Sequence, residues 1–460
     1  MEAVAEAAAV WCAQNGLVVA AGDGSARGHY THAPVSLLPG AVPRGAYAQA
    51  RALAPFCNDL VFACAANHAF LERTLAGAVA SDPFTARLWA LYERCRAEGT
   101  SRHPRGLELG LLRSDYMVDA PTGRLLQVEV NTIASSFGSL ATKVSELHEH
   151  LRGAMAAEMG DAGRDGEVVP NGALDGLADG LAEAHRQAGD PGAIVLFVVQ
   201  PNERNAFDQH ALAARLWSEH GVRSVRASLA DVARDGVLDQ PGGPLVVGGA
   251  PVSVVYFRAG YTPDDYPTEA EWSGRETIER SGAVKCPNVA WHLAGAKKVQ
   301  QELAVPGVLE SLVDPDLAAP ALRQSFAGLW SMEGEGAEEA VAMALADPGG
   351  FVLKPQREGG GNNLYSEQLV GALEKGENLG QYILMEKIRP EARPAAMMRN
   401  GELILTAAVS ELGVYSVCLR KDGESVVDQC VGHLLRTKAS DSDEGGVAAG
   451  FAVIDSPLLV

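Results

Sequence analysis

Apolar residues in the first 160 positions recur mostly at intervals of three and four. The recurrence runs from Ala46 to Leu75 and from Phe84 to Arg96, and it predicts helices that pack on one side of a sheet. A strand is predicted from Arg124 to Val130, where apolar and polar residues alternate. The same alternation places Glu129 and Asn131 on one face of that strand.

The pattern changes in residues 193–260, where short apolar runs alternate with a helical period. We predict a helix over Asn205–His220, a short helix further on, and strands at Ile194–Val199, Arg223–Ala227 and Val252–Phe257. This alternation predicts a small parallel α/β domain, and ligands of such sheets lie beyond the carboxyl ends of the strands. Four polar residues follow those ends and are candidates for substrate binding: Glu203, Asn205, Arg258 and Tyr261. For Arg258 alone, a surface arginine at a strand end is the alternative.

Residues from Trp291 onward return to a mixed pattern of strands and helices. Strands are predicted near Gly350–Lys354, Tyr382–Lys387, Leu403–Ser410 and Tyr415–Arg420, separated by turns. Residues 160–175 show no period and predict a loop. The chain is therefore predicted to be α/β with α+β character, in three regions with boundaries at 1–192, 193–293 and 294–460.

The net charge of −20 at pH 7 argues against nucleic acid or an anionic membrane as a partner, because both repel an acidic protein. Seven cysteines without a CxxC spacing indicate free thiols in a reducing compartment. No Lys or Arg precedes Arg27, so a targeting peptide is not expected, and no apolar stretch is long enough to span a membrane. The predicted compartment is the cytoplasm, with an organellar form left open.

The segment FVLKPQREGGGNNLY, residues 351–365, has the residue types that bind a nucleotide triphosphate. A buried strand ends at Lys354, whose ammonium can reach phosphate oxygens. Glu358 is an oxygen ligand suited to magnesium. Three glycines then let backbone N–H groups approach phosphates before two asparagines add side-chain amides. A glycine hairpin with ordinary surface charges is the alternative for this segment alone.

Five further segments, read in order with this loop, resemble the signatures of eukaryotic-type glutathione synthetases. They are RSDYM (113–117), EVNTIASSFGSL (129–140), ERNAFDQ (203–209), LAGAKKVQQEL (293–303) and VGHLLRTK with GGVAAG (431–438 and 445–450). The resemblance implies an ATP-grasp core with a lid, a helical region before it and an inserted substrate-binding α/β domain. It also implies a homodimer that joins glycine to γ-glutamylcysteine and splits ATP to ADP and phosphate.

The resemblance assigns magnesium to Glu129, Asn131 and Glu358, with two ions expected per site. A solvated strand carboxylate is the alternative for Glu129, and a core position is the alternative for Met385. The residues that the resemblance assigns to ATP are Lys297, Lys354, Gly359, Gly360, Gly361, Asn362, Asn363, Tyr365, Met385, Glu386, Lys387, Ile388, Glu411 and Lys438.

Arg113 and Arg436 are the expected catalytic residues, because their planar guanidinium groups suit a carboxylate and a developing oxyanion. The expected substrate contacts are Arg113, Ser136, Glu203, Asn205, Gln209, Arg258, Tyr261, Arg436, Val447 and Ala448. Because so many ligands are anions, we expect one cleft to collect Arg113, Arg258, Lys297, Lys354, Arg436 and Lys438. His433 is expected to be a core residue rather than a general base.

One position departs from the family pattern, which usually reads Ile-Ser-Ala-Ser-Phe where this chain has Ile133, Ala134, Ser135, Ser136 and Phe137. A substrate-facing hydroxyl is therefore missing at Ala134, and affinity is expected to fall severalfold. Two other functions stay open on sequence alone. One is a homoglutathione synthetase that accepts β-alanine, and the other is a catalytically silent nucleotide-binding relative.

Overall fold

The computed structural model describes residues 1–22, 28–159, 166–358, 361–443, 445–447 and 450–460. Among these residues, no helix combines the length and apolar character needed to cross a bilayer. The elements up to residue 192 are α1 (Glu2–Gln14), β1 (Val18–Ala20), β2 (Tyr30–His32), β3 (Val35–Ser36), β4 (Gly40–Val42), α2 (Arg44–Ala66), α3 (His68–Ser81), α4 (Pro83–Ala97), β5 (Leu107–Val118), β6 (Leu125–Asn131), α5 (Gly138–Ala154), α6 (Ala156–Met159), β7 (Glu167–Val168) and α7 (Ala173–Ala188).

The elements of residues 193–296 are β8 (Ile194–Val198), α8 (Ala206–His220), β9 (Ser224–Ala227), α9 (Leu229–Asp235), β10 (Gly236–Val237), β11 (Leu245–Val247), β12 (Ala250–Phe257), α10 (Glu269–Glu279), β13 (Val284–Cys286) and α11 (Val289–Ala294). The remaining elements are α12 (Lys297–Ala304), α13 (Ala318–Arg323), β14 (Leu329–Ser331), α14 (Ala337–Ala346), β15 (Phe351–Pro355), α15 (Ser366–Lys375), β16 (Tyr382–Glu386), β17 (Arg393–Arg399), β18 (Glu402–Lys421), β19 (Glu424–Ala439), β20 (Ala452–Asp455) and β21 (Pro457–Leu459).

The central sheet has seven strands in the order β17-β3-β20-β19-β18-β5-β6. Its long strand β18 is buried on both faces from Glu411 to Arg420. Leu412 and Val414 contact the hydrophobic cluster that includes α2, α3 and α4, whereas Tyr415 and Val417 contact the cluster that includes α1, α5 and α7. Because successive side chains of a strand point to opposite faces, helices on both sides cover the sheet.

Two smaller sheets flank the central one. Strands β10-β11-β12-β8-β9, with β13 beside β12, form a six-stranded sheet in which β8, β9, β12 and β13 run parallel. Strands β14-β16-β15 form an antiparallel sheet that carries Lys354. The predicted mixed α/β fold class is confirmed, and the predicted alternation within 193–260 matches β8, α8, β9, α9 and β12 closely.

Three features of local structure differ from the predictions. The twelve-residue strand β5 lies within the region predicted to be mainly helical. Its residues are buried on both faces, so its sequence lacks the alternation that marks a half-exposed strand. Strand β18 continues through Glu411–Val414, where a turn was predicted. In residues 160–175, of which 160–165 lie outside the described part, β7 and the start of α7 replace part of the predicted loop.

Candidate active site

A cavity of about 470 Å³ lies between the central sheet and the β14-β16-β15 sheet. One wall is formed by β5, β6, β18 and β19, and the opposite wall by β15 and β16. The cavity collects five of the six cations expected in one cleft: Arg113, Lys297, Lys354, Arg436 and Lys438. Arg258 does not line it; its guanidinium is buried behind the wall and donates to Asp208 Oδ2 at 2.8 Å.

Lys297 connects two carboxylates across the cleft. Its Nζ lies 2.9 Å from Glu129 Oε2 on β6 and 2.9 Å from Glu358 Oε1, just after β15. Burial lowers the pKa of Lys297, but the two carboxylates outweigh burial and the net pKa is raised. Burial raises the pKa of Glu129, yet Lys297 and Lys354 bring it below its usual range, whereas burial raises the pKa of Glu358. One ammonium therefore serves two acids, and the acid beside β15 is the less well neutralised.

Lys354 ends β15 and points its ammonium across the cleft, where it donates to the backbone carbonyl of Val128 at 3.1 Å. Burial lowers its pKa, although Glu129 opposes the shift. A buried lysine that donates to a neutral carbonyl gains much from an anion such as phosphate. The residue predicted to contact phosphate therefore lies in the cleft.

Arg113 and Arg436 lie on neighbouring parts of the central sheet and share one carboxylate. Asp115 accepts from Arg113 Nε at 2.7 Å and Nη2 at 2.8 Å, and from Arg436 Nη2 at 2.8 Å. Arg436 also donates to Glu411, whose pKa is raised by burial. Asn131 uses its side-chain N–H groups on Asp115 Oδ2 and the Arg113 carbonyl, which leaves Oδ1 as the atom for a further ligand.

The apolar end of the cavity carries Met385 and Ile388 at the end of β16, beside Tyr365. Met385 is buried among Leu126, Ala327 and Val352, so it is a core residue that also lines the cavity. Lys387 lies over the Tyr365 ring, 5.4 Å from its centroid, and pairs with Asp443 at 2.8 Å. Glu386 also lines the cavity, and its Oε2 accepts from the Gly328 backbone at 3.1 Å.

The loop between β6 and α5 is held in an unusual conformation at the cavity wall. Ala134 and Phe137 have φ values of 53° and 73°, in the left-handed region that non-glycine residues rarely adopt. Asp208 stabilises this turn by accepting from the backbone N–H groups of Phe137, Ser139 and Leu140. Tyr415 and Arg113 both donate to the Ser136 carbonyl, so the predicted substrate contact has a fixed backbone.

Glu203, Asn205 and Gln209 do not line the cavity. They lie beyond the end of β8, at the start of α8, as predicted. Gln209 Oε1 accepts from Arg226 Nη2 at 2.6 Å, while its Nε2 and the Oδ1 of Asn205 are buried and have no hydrogen-bond partner among the described residues. Unpaired buried polar atoms are costly, so a ligand that supplied partners here would be favoured.

Other predicted residues divide between the cavity and the part of the chain that is not described. Tyr261, Val447, Asn362 and Asn363 line the cavity, and Gly361 borders an adjacent depression with Asn363. Gly359, Gly360 and Ala448 lie outside the described residues. His433 is buried between Tyr47 and Ser145, and burial lowers its pKa to about 3, so it is neutral and remote from the cleft.

Sequence reasoning did not select Asp115, Asp208 or Tyr415, which orient the predicted residues. Asp115 and Asp208 lie inside the motifs RSDYM and ERNAFDQ. Their position within these motifs could have identified them as functional residues. A buried acid that only binds other protein groups carries no separate pattern in the sequence. Arg357 is a further cavity residue, and it is tied to Asp82 at the start of α4.

The donor set fits a hard divalent cation. Two carboxylates and an amide oxygen, from Glu129, Glu358 and Asn131, line the same cavity, and Mg²⁺ takes a few protein oxygens and keeps several waters. Among the residues that the structure describes, no group of three or more His, Cys, Asp or Glu side chains is placed to hold a metal by itself. The set therefore suits an ion that also takes ligands from phosphate and water.

Comparison with known proteins agrees with this geometry. The family model "Eukaryotic glutathione synthase, ATP binding domain" matches residues 1–459. The chain is 44% identical to a chloroplastic glutathione synthetase of Solanum lycopersicum, over 100% of this chain and 84% of the relative. It is 43% identical to the glutathione synthetase of Homo sapiens, over 94% of this chain and 90% of the relative.

Among solved structures, a glutathione synthetase-like effector of Globodera pallida in its apo form aligns over 100% of this chain and 96% of its own, with a TM-score of 0.77 and 21% identity, which supports the fold. Fold, cleft and relatives together define an ATP-dependent ligase. The chain belongs to the eukaryotic glutathione synthetase family.

Proposed function

We propose that this enzyme joins glycine to γ-glutamylcysteine at the expense of ATP, giving glutathione, ADP and phosphate. The observation that carries the proposal is that one cavity collects two chemically distinct sets of side chains. Lys297, Lys354, Glu129 and Glu358 suit phosphate and metal, while Arg113 and Arg436 suit a carboxylate. The glutathione synthetases among its relatives agree with this reaction.

An amide cannot form directly from a carboxylate, because oxide is a very poor leaving group. Phosphorylation of the γ-glutamylcysteine carboxylate by ATP gives an acyl phosphate, and the glycine amine then displaces phosphate. This sequence needs positioning and charge neutralisation rather than an enzyme nucleophile. The cleft supplies these through its cations, and neutral His433 is too remote to serve as a base.

In this proposal Lys297 and Lys354 bind the phosphates, together with the segment 359–363 and Lys438. Met385 and Ile388 contact the adenine, and Tyr365, Glu386, Lys387 and Glu411 complete the nucleotide site. Glu129, Asn131 and Glu358 hold magnesium, proposed as two ions, which would neutralise the phosphate oxygens. Because Lys297 already bridges Glu129 and Glu358, its ammonium must share these carboxylates with the metal.

Arg113 and Arg436 bind the reacting carboxylate and stabilise the charge that develops on it. Ser136 and Tyr261 contact the dipeptide at the cavity wall. Glu203, Asn205, Gln209 and Arg258 form the γ-glutamyl end, where the unpaired atoms of Asn205 and Gln209 would gain partners. Val447 and Ala448 close over glycine.

We further propose the three-part division at 1–192, 193–293 and 294–460. It is supported by the six-stranded sheet, whose strands all lie between Ile194 and Cys286. A homodimer and a cytoplasmic location are also proposed. One relative is a chloroplastic enzyme, so compartment can differ among family members.

The alternative acceptor, β-alanine, is tested in the same assay as the main reaction. Purified protein is supplied with ATP, magnesium, γ-glutamylcysteine and either glycine or β-alanine, and the peptide product is identified by mass. We expect glycine to be preferred by at least about tenfold in kcat/KM, because an extra methylene crowds the acceptor site. Comparable efficiency with β-alanine would reject the glycine assignment, and no peptide with either amine would reject the ligase.

A further inference from the structure

Asp115 is fully buried and accepts four hydrogen bonds on the wall of the cleft. Its Oδ1 accepts from Arg113 Nε, and its Oδ2 accepts from Arg113 Nη2, Arg436 Nη2 and Asn131 Nδ2, all between 2.7 and 2.9 Å. A carboxylate offers about four lone-pair sites, and Asp115 accepts four bonds, three of them on Oδ2. All four bonds go to residues that are assigned to substrate or metal.

The fold makes room for this carboxylate in two ways. The pairing of β5 with β6 shifts register between Asp115 and Tyr116, and such an irregularity redirects a side chain. Across the sheet, Asp115 pairs with Gly413 of β18. A Cβ at position 413 would lie 2.7 Å from Asp115 Oδ1 and 2.8 Å from Arg113 Cδ, so only glycine leaves the carboxylate its place.

From this geometry we propose that Asp115 is a positioning residue for the ligation, an inference that rests on the proposed function. The bidentate pair fixes the Arg113 guanidinium so that Nη1 is directed toward Ser136 at the cavity wall. The third bond fixes Arg436 beside it, and the carboxylate offsets the repulsion between the two cations. The fourth bond fixes the Asn131 amide so that its oxygen can meet the metal.

The test replaces the carboxylate by its amide, Asp115→Asn, which keeps size but removes the charge and presents N–H groups to donors. We expect kcat to fall about tenfold to a hundredfold, as for other groups that orient active-site residues. KM for γ-glutamylcysteine should rise as well, because Arg113 and Arg436 lose their orientation. Affinity for ADP without magnesium should stay within about threefold, since Lys297 and Lys354 do not contact Asp115.

Gly413→Ala is the second variant, because its new methyl group would displace the carboxylate without changing any charge. Gly413→Ala should also raise KM for γ-glutamylcysteine. The control is Glu279→Gln, which breaks an equally buried pair with Arg275 at 2.9 Å outside the cleft and should leave KM for γ-glutamylcysteine unchanged. The parent enzyme is assayed first, because its failure to make glutathione would count against the proposed function.

Three results would overturn the positioning role in an active parent. One is kcat and KM of Asp115→Asn within threefold of the parent. The second is loss of ADP affinity together with activity in both variants, which indicates general damage. The third is a change of equal size in the KM of Glu279→Gln for γ-glutamylcysteine. The loss of any buried charge would then explain the effect of Asp115→Asn.

Discussion

Lys297 donates from its ammonium to Glu358 Oε1 at 2.9 Å, and this bond joins the start of α12 to the segment before the glycine triplet. The same ammonium lies 2.9 Å from Glu129. Two acids therefore share one lysine, and the less well neutralised carboxylate, Glu358, favours a divalent cation. The pair links the lysine that is proposed to bind phosphate directly to the proposed metal site.

The first prediction concerns Glu358. Changing it to glutamine keeps the size of the side chain but removes a proposed magnesium ligand, and should slow ADP formation at least about a hundredfold, or about 3 kcal/mol. Saturating magnesium should not restore the rate. The matched control is Glu367→Gln, an exposed residue on α15 nearby, which should stay within about threefold of the parent. Activity of Glu358→Gln in that same range would show that the metal assignment is wrong.

The second prediction concerns the missing hydroxyl at Ala134. This residue lines the cavity, whereas the Ser135 hydroxyl donates to the Asn131 carbonyl at 3.3 Å. Ala134→Ser should lower KM for γ-glutamylcysteine about twofold to tenfold, the value of one neutral hydrogen bond. Ser135→Ala should leave that KM unchanged. If Ala134→Ser has no effect, the hydroxyl does not contact the dipeptide in this enzyme.

The sequence predicted the parts of the fold that have a clear period and the parts of the site that lie in motifs. Strand β6 and helix α8 were placed to within a residue or two, and seven residues of 351–365 line the cavity, Lys354 and Glu358 among them. Strand β5 was missed because burial on both faces removes alternation.

The unbroken β18 was missed for a different reason. Gly413 is a residue type that favours turns. In the sheet, however, it provides space for Asp115 on β5, a strand far away in the sequence. When a residue is needed for its contact with a distant segment, the adjacent sequence does not explain it. The same holds for Arg258, which sequence placed in the cleft and which instead pairs with buried Asp208.

The third prediction is a pH dependence of stability from Asp455. Burial raises the pKa of this carboxyl to about 7, although Thr437, Ser456 and Gly40 donate to it and oppose the shift. In an unfolded chain the pKa of an aspartate is about 3.9. The folded state thus holds the proton more tightly, so this stabilising contribution is complete below about pH 4 and is lost as the pH rises toward 7.

The measurement compares urea unfolding of the parent and of Asp455→Asn, which cannot titrate, at pH 5 and pH 8. The parent should lose at least about 1 kcal/mol more stability than the variant between these values. Other titrating groups are common to both proteins and cancel in the difference. An identical pH dependence of the two proteins would mean that Asp455 does not hold its proton in the folded state.

The measurement that tests the central claim most directly is ADP release by the purified protein with its substrates added singly and together. In the proposed mechanism the acyl phosphate forms from γ-glutamylcysteine and turns over only when an amine is present, so sustained ADP release should require magnesium, γ-glutamylcysteine and glycine together. Each ADP should be matched by one glutathione. ATP hydrolysis at the same rate with and without γ-glutamylcysteine would contradict the ligase mechanism.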